Sequence, residues 1–174
     1  MLVLTKAPLP RNTARTPSAV AKSAKAGLIL ANQLCFALYS ASLTMTKAYQ
    51  PMLKKIGLTY PQYLVMLVLW EQDKRSVSTL GDRLYLDSGT LTPLLKRLEA
   101  LTLIVRTRDA VDERRVIVSL TGSGRRLQRR ALAISKQIAC ATECSRSERK
   151  ALTSQLVKLR AALIRSTDGS ASNA

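Results

Sequence analysis

The feature that most constrains this chain lies between residues 77 and 120. Residues 77–84 carry a short helical pattern that Ser76 can cap, and a three-to-four-residue turn (Leu86, Asp87, Ser88) follows. A second pattern, capped by Asp87 or Ser88, runs to about Leu101. In it Leu91, Leu94, Leu95 and Leu98 recur at i, i+3, i+4, i+7 and specify one buried face. Pro93 sits near its N-terminus, where a missing N–H is tolerated. Residues 103–108 and 114–120 are then rich in Val, Ile, Arg and Thr, with Val116, Val118 and Leu120 alternating across a polar connection that lacks an Asn-Gly turn. Two helices alone describe a helical hairpin of any bundle. The β-hairpin directly after them favours a winged helix-turn-helix.

The flanking segments are helical. Leu34, Leu38, Ala41 and Met45 at i, i+4, i+7, i+11 predict a long amphipathic helix over residues 28–54, with Pro51 near its end and Gly57 stopping it. Pro61 fits the first turn of a second helix, capped by Thr59 or Tyr60 and running to about Asp73. Thr121 opens a fifth helix to about Thr142, and Ser147 opens a sixth with Leu152, Leu156, Leu159 and Leu163 in one stripe. The expected fold is mainly α with a small β-hairpin wing: a winged helix-turn-helix over about 59–120 plus a helical dimerisation region, within a domain of residues 28–166. The stripes of the first, fifth and sixth helices exceed what a lone winged domain covers, so a homodimer is expected. Its two-fold symmetry suits palindromic double-stranded operator DNA.

Charge points the same way. The 174 residues hold 28 Lys and Arg against 11 Asp and Glu, a net charge of +17, which makes a polyanion the expected partner. Residues 1–27 contain Lys6, Arg11, Arg15, Lys22 and Lys25 with no acidic residue and three prolines. They read as a mobile basic extension, although their composition also resembles an organellar presequence and an upstream start gives the same pattern. Residues 167–174 are small and polar and are expected to fray. The apolar run of residues 1–4 is too short for a secretory signal, and no run approaches the ~18 apolar residues of a membrane span, so a cytoplasmic protein without a membrane partner is expected.

The absence of histidine excludes Ser-His-Asp and Cys-His catalysis and His-containing zinc sites. No catalytic residue, metal or cofactor is expected, and three cysteines make no disulfide framework. In the second helix of the helix-turn-helix the face opposite the leucines is Ser88, Thr90, Thr92, Lys96 and Arg97, suited to a major groove. The hairpin carries Arg106, Arg108, Arg114 and Arg115 around Asp109, Asp112 and Glu113; an Arg at its tip can enter a narrow minor groove, and a solvated charged turn is the alternative. Arg125, Arg126, Arg129 and Arg130 either track a DNA backbone or form a solvated helix face.

Cys35 lies inside the first helix with Tyr39 one turn away and no basic residue within a turn, so only tertiary donors can activate it. Tyr49 lies about 21 Å further along a straight helix at ~1.5 Å per residue. It cannot reach Cys35 of its own helix but can reach that of an antiparallel partner. Cys140 and Cys144 stand at i, i+4, a poor zinc site on their own. Composition alone favours all three cysteines as small buried apolar residues.

Residues 32–39 (NQLCFALY), 57–71 (GLTYPQYLVMLVLWE), 80–99 (LGDRLYLDSGTLTPLLKRLE) and 112–122 (DERRVIVSLTG) closely resemble the OhrR branch of the MarR family, and the resemblance runs from about Leu28 to Arg165. It implies a homodimeric winged-helix repressor that senses organic hydroperoxides. It implies Cys35 as the peroxide-sensing thiol, with Tyr49 and Tyr60 hydrogen-bonding it across the dimer. It further implies the two-Cys type, in which Cys140 resolves the oxidised sensor as an intersubunit disulfide and Cys144 is a spare. The segment Ser88–Thr92 matches the recognition helix, and Asp112 and Arg114 match the wing. The basic extension departs from the family pattern. The rival readings are a repressor responding to a bound small ligand, a thiol peroxidase, and a sequence-neutral DNA binder.

Overall fold

A computed structural model describes residues 28–171, with side chains to residue 168. The expectations for residues 1–27 and 172–174 lie outside the described residues. The chain divides into two units, Met1–Thr44 and Met45–Ala174.

The described part of the first unit holds a 3-10 turn, Leu30–Asn32, and the start of helix α1 (Leu34–Lys54). The predicted helix over 28–54 is therefore interrupted. Ile29 and Gln33 both take extended backbone, which isolates the short turn from α1. Within α1 the Ser40 hydroxyl donates to Phe36 O at 2.8 Å and the Thr44 hydroxyl to Ser40 O at 2.9 Å. Leu34 is 60% exposed, and Tyr39 and Leu43 are also open to solvent.

The second unit contains the end of α1 and the remaining elements: α2 (Tyr60–Glu71), β1 (Arg75–Ser76), α3 (Val77–Leu84), α4 (Ser88–Ala100), β2 (Ile104–Arg108), β3 (Val116–Leu120), α5 (Gly122–Ala141) and α6 (Arg146–Ala171). The mainly helical class with a small hairpin wing is as predicted. In α2, Pro61 stands in the first turn and Gln62 Oε1 accepts from Thr59 N–H at 2.8 Å, so the Thr59 cap is correct. The helix ends at Glu71 rather than Asp73. Gln72 turns extended, and the Asp73 carboxylate instead accepts from Lys74 N–H and Leu120 N–H, both at 2.8 Å.

Ser76 Oγ accepts from Thr79 N–H at 3.1 Å and caps α3; Asp87 Oδ1 accepts from Thr90 N–H at 2.7 Å and caps α4. Between them Tyr85 ends α3 in the left-handed region (φ 56°), and Leu86 N–H donates to Gly81 O at 3.0 Å. A Cβ at Gly81 would meet Leu86 O at 2.8 Å, so this close turn needs glycine. Of the four leucines expected to form the buried face, Leu91, Leu95 and Leu98 are fully buried in a core with Val65, Met66, Leu69, Leu80, Ile104 and Val118, while Leu94 at the edge of the stripe is half-buried. Truncating one such leucine to alanine costs about 2–5 kcal/mol.

The sheet order is β1-β3-β2, all antiparallel, with Arg106 opposite Val118 and Arg108 opposite Val116. Strand β3 starts at Val116, so Arg114 and Arg115 belong to the wing tip and not to the strand. Asp109 and Asp112 cause this: their carboxylates accept from Val111 N–H (2.9 Å) and Arg114 N–H (3.1 Å) and turn the chain early.

Three further expectations are corrected. The apolar stripe of α5 needs no partner, because Leu127, Ala131, Ile134 and Ile138 are buried in this chain's own core. Helix α6 starts at Arg146, before Ser147, because Ser145 and Glu148 form a reciprocal cap at 3.2 and 2.8 Å. It also continues to Ala171 through the segment expected to fray, with the Ser166 and Thr167 hydroxyls turned back onto Leu163 O and Ile164 O. No helix among the described residues is long and apolar enough to cross a membrane.

Candidate DNA interface and thiol site

The wing is held against α4 by one clamp. Glu99 accepts from Arg106 through its backbone N–H (3.1 Å), Nε (2.9 Å) and Nη2 (2.6 Å). Arg106 holds the Glu99 carboxyl below the usual carboxylate range. The base of the wing is tied to α2 and α5. Trp70 Nε1 donates to Gly124 O at 2.9 Å, Asp73 pairs with Arg125, and a Cβ on Gly124 would lie 2.1 Å from Leu103 O. Sequence reasoning missed Glu99, Asp73 and Trp70 in these roles.

Between wing and helix-turn-helix lies a cavity of about 380 Å³ lined in part by Ser76, Ser78, Thr92, Arg106, Arg114 and Arg115. The structure thus brings Thr92, Arg114 and Arg115 together. Ser88, Thr90 and Lys96 are exposed on α4 outside this cavity. The Thr90 hydroxyl donates to Asp87 Oδ2 at 3.0 Å, and the Thr92 hydroxyl donates to Ser88 O at 2.7 Å. Both keep oxygen lone pairs for a ligand, while their protons serve the helix. Asp112 braces the backbone of Arg114 and, among the described residues, forms no ion pair with its guanidinium. The basic face of α5 is partly structural: Arg125 pairs with Asp73, Arg126 donates to Ser123 Oγ at 3.0 Å, and Arg130 donates to Lys55 O at 2.7 Å.

Helix α6 reaches the helix-turn-helix at Tyr85. The Arg160 guanidinium stacks over the Tyr85 ring, 4.3 Å from its centroid.

The thiols are all unpaired. Cys35 and Tyr39 are exposed on α1 in the first unit, contrary to the buried reading that composition favours. In the second unit Tyr49 and Tyr60 are brought together, their rings 4.9 Å apart, and Tyr63 joins them at 5.8 Å from Tyr49. Tyr63 lies three residues beyond Tyr60 on one face of α2. Burial, reinforced by the neighbouring phenols Tyr60 and Tyr63, pushes Tyr49 up to about 12; burial also raises Tyr60 and Tyr63. All three phenols therefore hold their protons at neutral pH and can act as donors. Beside them a cavity of about 510 Å³ is lined in part by Lys47, Gln50, Lys54 and Tyr60. Cys140 is exposed in the last turn of α5, and Cys144 is half-buried in the loop that follows. Among the described residues no cluster of three or more His, Cys, Asp or Glu is placed to hold a metal.

Comparison with known proteins agrees with this geometry. The family description "Transcriptional regulator SarA/Rot" matches residues 47–130. The organic hydroperoxide resistance transcriptional regulator of Bacillus subtilis is 49% identical over 130 residues, 75% of this chain and 88% of that one. Reduced AbfR bound to DNA is similar at 39% identity and a TM-score of 0.63, over 78% of this chain and 95% of that chain. Disulfide-formed AbfR is similar at 37% identity and a TM-score of 0.56, over 80% and 98%; AbfR is a protein of Staphylococcus epidermidis. A helix-turn-helix with a clamped wing and this degree of likeness place the chain in the OhrR branch of the MarR family, the winged-helix transcriptional regulators of organic hydroperoxide resistance.

Proposed function

We propose that the protein is a homodimeric repressor that binds a palindromic operator when Cys35 is reduced and releases it when an organic hydroperoxide oxidises Cys35. The observation that carries this reading is the pairing, in one chain, of an Arg-lined cavity between wing and helix-turn-helix with sensor and resolving thiols that are both open to solvent. Relatives with this fold are regulators, and AbfR has been solved both reduced on DNA and in a disulfide form, which supports a thiol switch.

Ser88, Thr90 and Lys96 meet the major groove, with Thr92 at its edge; Arg114 and Arg115 reach the minor groove, with Asp112 fixing the tip. The exposed apolar faces of α1 (Leu34, Leu43) and α6 (Leu152, Leu156, Leu163) pair with those of a second copy. Tyr49 and Tyr60 of one protomer donate hydrogen bonds to the partner's sensor thiolate. The Cys35 thiolate attacks the peroxide oxygen, an alcohol leaves, and a sulfenic acid remains. The Cys140 thiolate of the other protomer attacks that sulfur and water leaves as the intersubunit disulfide forms. The bond needs the two Cα atoms within about 7 Å; where they start further apart, closing it moves helices and changes the spacing of the two wings.

The test begins with duplexes selected from a random pool by the reduced protein. Cumene hydroperoxide should release them from wild type and not from Cys35→Ser. Non-reducing electrophoresis should show a linked dimer that Cys140→Ser abolishes. Release from Cys35→Ser removes Cys35 as sensor, and a linked dimer that survives Cys140→Ser but not Cys144→Ser reassigns the resolving thiol. The cavity beside Tyr60 favours a second reading, control by a bound small ligand; release by such a ligand under full reduction would support it.

A further inference from the structure

We propose that Cys144 is a second resolving thiol, which draws the disulfide out of the Cys35–Cys140 bridge and closes a Cys140–Cys144 bond within one chain. This rests on the thiol switch proposed above. Helix α5 stops at Ala141, Glu143 N–H donates to Cys140 O at 3.1 Å, and Glu143 takes the left-handed conformation (φ 52°). These turn the chain back on the helix end. Arg149 then fastens the turn: its Nη1 donates both to Ala139 O, at 3.2 Å, and to Cys144 O. Two oxygens that share one donor nitrogen lie within about 6 Å of each other. The Cys144 peptide is thus held against the helical turn that carries Cys140. A disulfide spans Cα atoms about 4.4–6.8 Å apart, a range suited to residues packed this closely.

Exposure orders the events. Cys140 is open to solvent and Cys144 half-buried, so an incoming partner sulfur meets Cys140 first. A disulfide is open to attack by any thiolate that can reach one of its sulfurs, and a strained one is the more readily attacked. The attacking thiol is only four residues from Cys140 on the same chain, in a loop fastened to the helix end, so its effective concentration is high. The Cys144 thiolate attacks Cys140 Sγ, the Cys140–Cys35 bond breaks, and the Cys35 thiolate leaves with the electron pair. Overall one hydroperoxide and the two thiols of one loop become an alcohol, water and a local disulfide. The sensor is restored without an external reductant, once per loop.

Trypsin cuts after Lys136 and Arg146, so both loop cysteines fall in one peptide, residues 137–146. The full-length reduced protein is given one equivalent of cumene hydroperoxide, quenched over time with N-ethylmaleimide, and mapped by mass. The link between the Cys35 peptide and 137–146 should rise and fall. An unalkylated 137–146 peptide lighter by two hydrogens should replace it, while Cys35 becomes alkylatable again. In Cys144→Ser and Cys144→Ala the link should last roughly tenfold longer or more. Equal lifetimes in wild type and both variants overturn the role of Cys144 and leave the switch intact. A bridged 137–146 peptide formed equally in Cys35→Ser overturns the relay, because the loop would then oxidise directly. No Cys35–Cys140 link in any sample overturns both this inference and the resolving role proposed above.

Discussion

The wing region and the Cys35 end of α1 differ in how completely they satisfy themselves. The wing is closed by its own bonds: Glu99 grips Arg106, Asp73 receives Leu120 N–H, Trp70 reaches Gly124, and two aspartates fold the tip. The start of α1 contains no buried residue, and its Leu34, Tyr39 and Leu43 lie open. A surface that reads DNA must hold its shape before the ligand arrives. The apolar start of α1, which carries the proposed sensor, has no such closure within its own chain.

The contrast can be broken from either side. The largest effect is expected at the apolar face of α6, where Leu156→Glu with Leu163→Glu should convert the proposed dimer to a folded monomer, seen by sedimentation with unchanged helix content. A dimer that survives would show that α6 is not the covering face. Next comes Gly124→Ala. Its methyl would press on Leu103 O, and about 1–3 kcal/mol should be lost in urea denaturation, with the wing loosened. Smallest is Glu99→Gln, which should cost no more than about 1 kcal/mol because both partners of the clamp are partly in water. Glu99 is held below its ordinary value of 4.5, so its contribution is present above that pH and fades as pH falls through the lowered value. The stability gap between wild type and Glu99→Gln should therefore be present at neutral pH and vanish in acid; a gap independent of pH would remove the charge from the explanation.

Much of this was legible in the residues. Leucine spacing placed the recognition helix, and Ser76, Asp87 and Thr121 marked helix starts because a cap needs only a local hydroxyl or carboxylate. Strand β1 was not legible. Two residues carry no period, and they are a strand only because β3 lies alongside. Nor could spacing show that the α5 stripe is covered within the chain while that of α6 is not, since both have the same periodicity. Ser145 and Ser147 compete for one cap, and only the reply from Glu148 decides between them. The tyrosine cluster mixes α1 and α2, so Tyr63 acquires meaning from packing alone. The proposed sensor, Cys35, and its proposed donors are legible only through resemblance, since a lone thiol in a helix has no signature in its neighbours.

One contact changes how α6 can be regarded. Tyr85 sits in a backbone conformation that glycine adopts more cheaply, and its ring is covered by Arg160. From Arg146 to Arg160 is about 21 Å at ~1.5 Å per residue, so a tilt of about 5° at the α5–α6 loop would carry the guanidinium about 2 Å. Any tilt at the loop that holds two thiols would thus be felt at the corner of the helix-turn-helix, multiplied by the length of α6.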